Sequence, residues 1–186
     1  VVVFLIYLPG IYNGVALLDD QHVLANLSES QGLPWFEGFF NYLYKHASLT
    51  ARPLSYLSFY LQKEQYGVDL SSFKIANVIL HMVNSILVFI LAKQLTKVLN
   101  KGKKHKSSVI VASICMLFWA VSPIHVSTVL YVTQRMAELS AFFSLVALIT
   151  FLNARSLESN KKQFLLLLLT FFLLILKLIT VYPLYW

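Results

Sequence analysis

The sequence predicts an all-α, polytopic membrane protein with about five transmembrane helices and short interfacial helices in its first outer loop. Three observations lead there. Of its 186 residues, 58% are hydrophobic and only 12% charged, where a soluble domain carries about a quarter charged. The apolar runs Val78–Ala92, Val109–Val121, Leu139–Leu152 and Phe164–Leu176, counted with their mixed shoulders, approach the roughly 20 residues of a bilayer span. The basic residues gather in short stretches between these runs: Lys93, Lys97, Lys101, Lys103, Lys104 and Lys106 in one, Arg155, Lys161 and Lys162 in another. That distribution is an orientation signal, so the net charge of +7 is not the mark of a nucleic-acid surface.

The elements follow in order. Residues 1–18 read as the end of a first span, broken at Pro9-Gly10, whose start precedes the opening "VVVFLIYLPG", which lacks a Met. With "VYPLYW" closing the chain directly after an apolar run, the 186 residues read as one transmembrane domain, the N-terminal part of a longer module. Residues 19–74 form a long outer loop rich in Trp, Phe and Tyr, with "LPWFEGFFNYLYKH" and "RPLSYLSFYLQKEQYG" as amphipathic stretches. Such stretches lie flat at the headgroup layer. Two or three short helices are expected, starting near Gly32-Leu33-Pro34 and Arg52-Pro53, since proline suits a first helical turn. Spans 2 to 5 are expected at 75–95, 109–121, 136–153 and 164–182. With both basic loops in the cytoplasm, the N-terminus is cytoplasmic too, and residues 19–74 and 122–135 lie outside. Cys115 falls inside an apolar run and reads as a packing residue.

The polar residues left on the outer side are the candidate site. Asp19 and Asp20 follow span 1. Partial desolvation and a like-charged neighbour fit one of the pair to accept a proton; the plainer alternative is an acid pair that marks the membrane boundary. Arg52 in "TARPLSYLSF" either grips a phosphate with its planar fork or snorkels to headgroups. His125 and Arg135 bracket the short connector, and Glu138 stands three residues after Arg135, close enough to pair with it on one helix face. His81, with Asn77 and Asn84, makes a polar stripe on span 2, the pattern of interhelical hydrogen bonding. Lys177 sits near the outer end of span 5. The histidines lack metal-ligand spacing; no Gly-rich phosphate loop, Ser–His–Asp signature or CxxC pair occurs, and no inverted repeat suggests a transporter.

Four stretches, in this order and spacing, resemble the GT-C superfamily of membrane glycosyltransferases, in particular bacterial relatives of the transmembrane and tetratricopeptide-repeat O-mannosyltransferases. They are "LLDDQHVLANL", "ARPLSYLSFYLQKEQYGVDLSSFKIANVILHMVNSILVF", "FWAVSPIHVSTVLYVTQRMAELSAFFSLVAL" and "LLILKLITVYPLYW". The resemblance implies transfer of a sugar from a polyprenyl-phosphate-linked donor to an acceptor hydroxyl of a protein or glycan, on the outer face of a bacterial inner membrane. It makes Asp19 or Asp20 the general base and Arg52 and Arg135 the donor-phosphate ligands, with His81, His125, Glu138 and Lys177 in support. It leaves the cofactor unknown; a divalent metal is possible but nothing in the residues indicates one. The implied partners are the lipid-linked donor, the acceptor, membrane lipids and a possible membrane complex. The chain departs from the family pattern at Ser122-Pro123-Ile124-His125, where a His usually precedes the Pro, and at Leu176-Lys177-Leu178, where an acid usually follows the Lys. These departures keep open a second reading, a non-catalytic GT-C-like subunit that binds a partner protein or lipid.

Overall fold

Every regular element in the computed structural model is helical; the structure describes residues 2–16, 18–30, 32–47, 52–99, 106–157 and 159–181. In order these are α1 (Val2–Asn13), α2 (Leu18–Glu29), α3 (Trp35–Ala47), α4 (Pro53–Tyr66), α5 (Leu70–Leu99) and α6 (Lys106–Val121). A 3-10 turn (Pro123–His125), α7 (Val126–Leu130), α8 (Arg135–Arg155) and α9 (Asn160–Val181) complete the chain. No strand occurs among the described residues. The chain is an all-α helical membrane protein, and its apolar faces say why. On α9, Phe164, Leu165, Phe171 and Phe172 are exposed, and on α6 so are Ile110, Ile114, Leu117 and Phe118. Continuous apolar faces of that size belong against lipid, where helices satisfy their own backbone groups.

Among the described residues, three helices are long and apolar enough to cross a bilayer: Leu70–Leu99, Arg135–Arg155 and Asn160–Thr180. A fourth crossing results if the helices Ser108–Val121 and Pro123–Leu130, bent by 44° at their junction, act as one broken span. The bend falls at Ser122-Pro123, where the proline ring cannot donate to the preceding turn. The described apolar helix of the expected first span is Val3–Tyr12, about 15 Å at 1.5 Å per residue, which is half of a hydrocarbon layer of about 30 Å. Pro9 does not break it, because α1 runs through that residue and ends instead before Gly14, where an added Cβ would meet the Gly10 carbonyl and the Lys74 ammonium. Tyr7 and Ile11 pack on Val78 of α5 and Val129 of α7, and that packing holds the helix in place.

Long antiparallel helices bring the chain's two chemistries to opposite ends. At one end Gln94 donates to Asn153 at 3.1 Å, close to exposed Lys93, Lys97, Arg155, Lys161 and Lys162. The rest of the lysine-rich stretch, 100–105, lies outside the described residues. At the other end α2, α3 and α4 gather over α5 and the α7–α8 turn. Pro53 opens α4 and Pro34 immediately precedes α3, as expected of N-terminal prolines. The aromatics of this segment divide: Trp35, Phe36, Phe40, Tyr44 and Tyr66 stay exposed, and others turn inward. Tyr42, Tyr56, Phe59, Tyr60 and Phe73 close into one buried core with Val23, Leu27 and Val132. Cys115 also departs from expectation: it is exposed on the outward face of α6.

Candidate functional site

On α5 the residues Lys74, Asn77, His81, Asn84 and Ser85 are all buried. Their spacing of three and four puts them on one helix face, and each finds a partner. The site is built around that face, where it meets α1, the end of α6, the α7–α8 turn and the first turn of α8.

The turn at Tyr131–Gln134 has backbone groups that no helix satisfies, and buried backbone groups must be paired. Side chains do this from two directions. Asn77 Nδ2 donates to the Tyr131 carbonyl at 2.9 Å. Asp20 Oδ1 accepts from the Thr133 backbone N–H at 3.0 Å and from the Thr133 hydroxyl at 3.1 Å. A carboxylate here lies just ahead of the α8 N-terminus, where the helix dipole favours negative charge. Its other oxygen, Oδ2, is buried and has no hydrogen-bond partner. Lys74 is buried as well, its ammonium donating to the Gly10 carbonyl at 3.1 Å within electrostatic reach of Asp20.

Arg135 opens α8 and turns into the core. Its Nε donates to Asn77 Oδ1 at 2.8 Å and Nη2 to the Phe73 carbonyl at 2.9 Å. The guanidinium lies 4.7 Å from the Phe59 ring centroid and 5.4 Å from that of Phe73. Close by, burial pushes the Tyr42 phenol above its ordinary range; Tyr56 adds to the shift and the Arg135 charge opposes it.

One helical turn further, Glu138 meets α5. His81 Nδ1 lies 3.2 Å from Glu138 Oε1, and Asn84 Nδ2 donates to Glu138 Oε2 at 2.6 Å and to its carbonyl at 3.0 Å. His81 Nε2 lies 3.2 Å from the Ala120 carbonyl. That carbonyl can only accept, so Nε2 carries a hydrogen. A hydrogen bond between Nδ1 and Oε1 then needs one hydrogen between the two atoms. His125 stands beside them, its ring 5.4 Å from that of His81 and 4.5 Å from that of Trp119.

The sequence-derived candidates therefore separate. Asp19 and Asp20 open α2 rather than close a span; Asp19 is exposed while Asp20 is 1% exposed, so they are not an equivalent pair. Arg135 and Glu138 do not pair with each other. Three residues of helix rotate them toward different neighbours, Asn77 and Phe73 for one, His81 and Asn84 for the other. Arg52, half-buried at the start of α4, donates from Nη1 to the Met136 sulfur at 2.6 Å. Lys177 is half-buried on α9, and its carbonyl accepts from the Thr180 hydroxyl at 2.6 Å. Sequence reasoning passed over Lys74 and Thr133. Lys74 was findable: it stands three residues before Asn77 and seven before His81 on the polar face. Thr133 was not, since its role depends on a long-range meeting with α2.

Among the described residues no cluster of three or more His, Cys, Asp or Glu could hold a metal ion. No protein-family model, curated protein or solved structure matches the chain.

Proposed function

We propose that the chain belongs to a membrane glycosyltransferase that moves a sugar from a polyprenyl-phosphate-linked donor to an acceptor hydroxyl on a protein or glycan. The observation that carries this reading is Asp20, a nearly fully buried carboxylate with Oδ1 tied to Thr133 and Oδ2 left without a partner. Buried polar atoms are nearly always satisfied, and exceptions cluster where chemistry is done. An acceptor hydroxyl at Oδ2 would pass its proton to Asp20 as its oxygen bonds the anomeric carbon. The bond from that carbon to the phosphate oxygen breaks, and the lipid phosphate departs as an anion. Such a leaving group needs cationic stabilisation rather than a strong acid. Arg52 supplies it in this reading: its planar fork suits a phosphate, and it stands half-buried at the start of α4 beside Met136 of α8. Arg135 holds the α5–α8 corner from which Thr133 orients Asp20. The basic end faces the cytoplasm and the Asp20 end the periplasm or lumen.

A second reading rests on its own observation. Arg135 already spends Nε and Nη2 on Asn77 and Phe73, and its guanidinium packs near two rings. This suits a non-catalytic GT-C-like subunit whose polar network only joins helices. The two readings separate in vesicles holding a radiolabelled polyprenyl-phosphate hexose. The enzyme reading expects label to leave the lipid fraction. Asp20→Asn should cut transfer by roughly 10²–10⁴, the worth of a general base, with donor retention and helicity unchanged, while Asp19→Asn transfers normally. Normal transfer by Asp20→Asn removes the base assignment, and no transfer by the unaltered chain favours the subunit.

A further inference from the structure

The helices over the polar end are not alike in what they leave uncovered. On α4 the aromatics Tyr56, Phe59 and Tyr60 are buried, and its exposed apolar residues Leu61 and Tyr66, five apart, do not share a helix face. On α2 the exposed positions are mostly polar or small: Gln21, His22, Ala25, Ser28 and Glu29. On α3 three sectors run side by side along the axis. Gly38 and Tyr42 face the core. Glu37 and Asn41 are exposed and polar. Phe36, Phe40 and Tyr44 are 70%, 58% and 82% exposed. These three recur every fourth residue, so they line up as one ridge, and the Phe36 and Phe40 rings already stack at 6.3 Å.

The fold also fixes the level at which this ridge sits. The exposed apolar face of α9 runs from Phe164 to Leu178. Its 22 residues cover about 33 Å at 1.5 Å each, enough for a hydrocarbon layer of about 30 Å. Ser55 of α4 donates to the Thr180 carbonyl at 3.2 Å, in the last turn of α9. So α4 meets α9 where the hydrocarbon ends. Helix α3 packs on α4 through Tyr42–Tyr56 at 5.7 Å and Phe39–Tyr60 at 5.5 Å. A helix at that height with a protein side, a polar side and an aromatic side has the composition of an interfacial anchor, because Tyr and Trp rings favour the headgroup layer.

We propose that α3 alone of the three outer helices rests on lipid, with Phe36, Phe40 and Tyr44 in the headgroup–acyl boundary and Glu37 and Asn41 toward water. This placement of α3 is independent of whether the chain transfers sugar. The test is a spin-label scan of the full chain in phosphatidylethanolamine–phosphatidylglycerol vesicles. On a Cys115→Ser background the labels go in one at a time through Phe36→Cys, Phe40→Cys, Tyr44→Cys, Glu37→Cys and Asn41→Cys. All five positions are exposed, so the core packing is untouched, and circular dichroism checks that helicity is kept. Collision with oxygen, which concentrates in lipid, is compared with collision with a water-soluble nickel chelate. The expected result is an oxygen-to-nickel ratio several-fold higher at 36, 40 and 44 than at 37 and 41. Equal ratios at all five positions would place the ridge in water and overturn the proposal. Labels at 36, 40 and 44 that are immobilised and shielded from both reagents would mean a protein partner covers the ridge, which overturns it equally.

Discussion

The helix pair α8–α9 and the corner where α5 meets α8 are both membrane-depth contacts, yet they are built from different materials. Between α8 and α9 the side-chain polar contact among the described residues is that of the Thr150 and Thr170 hydroxyls at 3.0 Å. Between α5 and α8, Asn77, His81 and Asn84 answer Arg135, Tyr131 and Glu138 with atoms 2.6–3.2 Å apart. Lipid tails are as apolar as leucine, so burial of leucine does little to choose one helix partner over another. The α5–α8 corner is specified by chemistry, and the α8–α9 pair by shape and by a tight connection. The candidate site lies at the specified corner, where the positions of side chains are fixed by several partners at once.

The largest expected effect breaks the specified corner at one atom. His81→Ala takes the Nδ1 partner from buried Glu138 and the Nε2 partner from the Ala120 carbonyl, and breaking a buried pair costs about 3–5 kcal/mol. Glu138→Gln should cost far less, because the amide can donate to His81 Nδ1 and its oxygen can still accept from Asn84. Unfolding in detergent with increasing SDS checks both. Equal losses for the two variants would mean that the pair is not held by its hydrogen bond and that cavity formation dominates.

A middle-sized effect sharpens the link from this corner to the candidate base. Thr133→Val removes the hydroxyl that donates to Asp20 Oδ1 and keeps the backbone N–H. Hydrogen bonds to charged groups are worth about 1.5–3 kcal/mol, and the surviving N–H places the loss at the lower end. The same SDS titration reads the stability. In the vesicle assay, transfer should fall in parallel while donor retention is unchanged, since an untethered carboxylate is less well aimed.

Much of this architecture was legible because lipid imposes a simple rule. The four later apolar helices fall within a few residues of the stretches expected from hydropathy. His81, Asn77 and Asn84 stood out because polar residues on an apolar helix must meet something. The failures share a cause: the local pattern allowed a pairing or placement that a more distant neighbour outcompeted. Arg135 and Glu138 are spaced to pair, but α5 offers each a better partner across the interface. The aromatic loop had the composition of a lipid-facing segment throughout, yet Tyr42, Tyr56, Phe59, Tyr60 and Phe73 close into a core with α2 while Phe36, Phe40 and Tyr44 stay outward. Asp19 and Asp20 are adjacent, but only Asp20 points toward the α7–α8 turn. No periodicity in residues 1–18 announces that Pro9 is tolerated and that the helix stops early; contacts with Val78 and Val129 decide that.

The smallest effect is expected at the other contact, and it is the one that most directly tests the contrast. Thr170 is buried on α9 and its hydroxyl, besides meeting Thr150, donates to the Leu166 carbonyl of its own helix at 2.9 Å. Thr150 likewise bonds the Val146 and Ala147 carbonyls at 3.0 and 2.9 Å. Each hydroxyl therefore has a local alternative, and loss of the cross-helix bond strands neither. Thr170→Val keeps the shape and should cost about 0.6 kcal/mol, the average for hydrogen bonds between membrane helices. In the same SDS titration that value is a small fraction of the His81→Ala loss. A loss as large as that of His81→Ala would show that α8 and α9 are also joined by an obligatory polar contact. The division into a chemically specified corner and a shape-packed pair would then fail at its second half, and Thr170 would have to be counted with Asn77, His81 and Asn84 as a residue that chooses its partner helix.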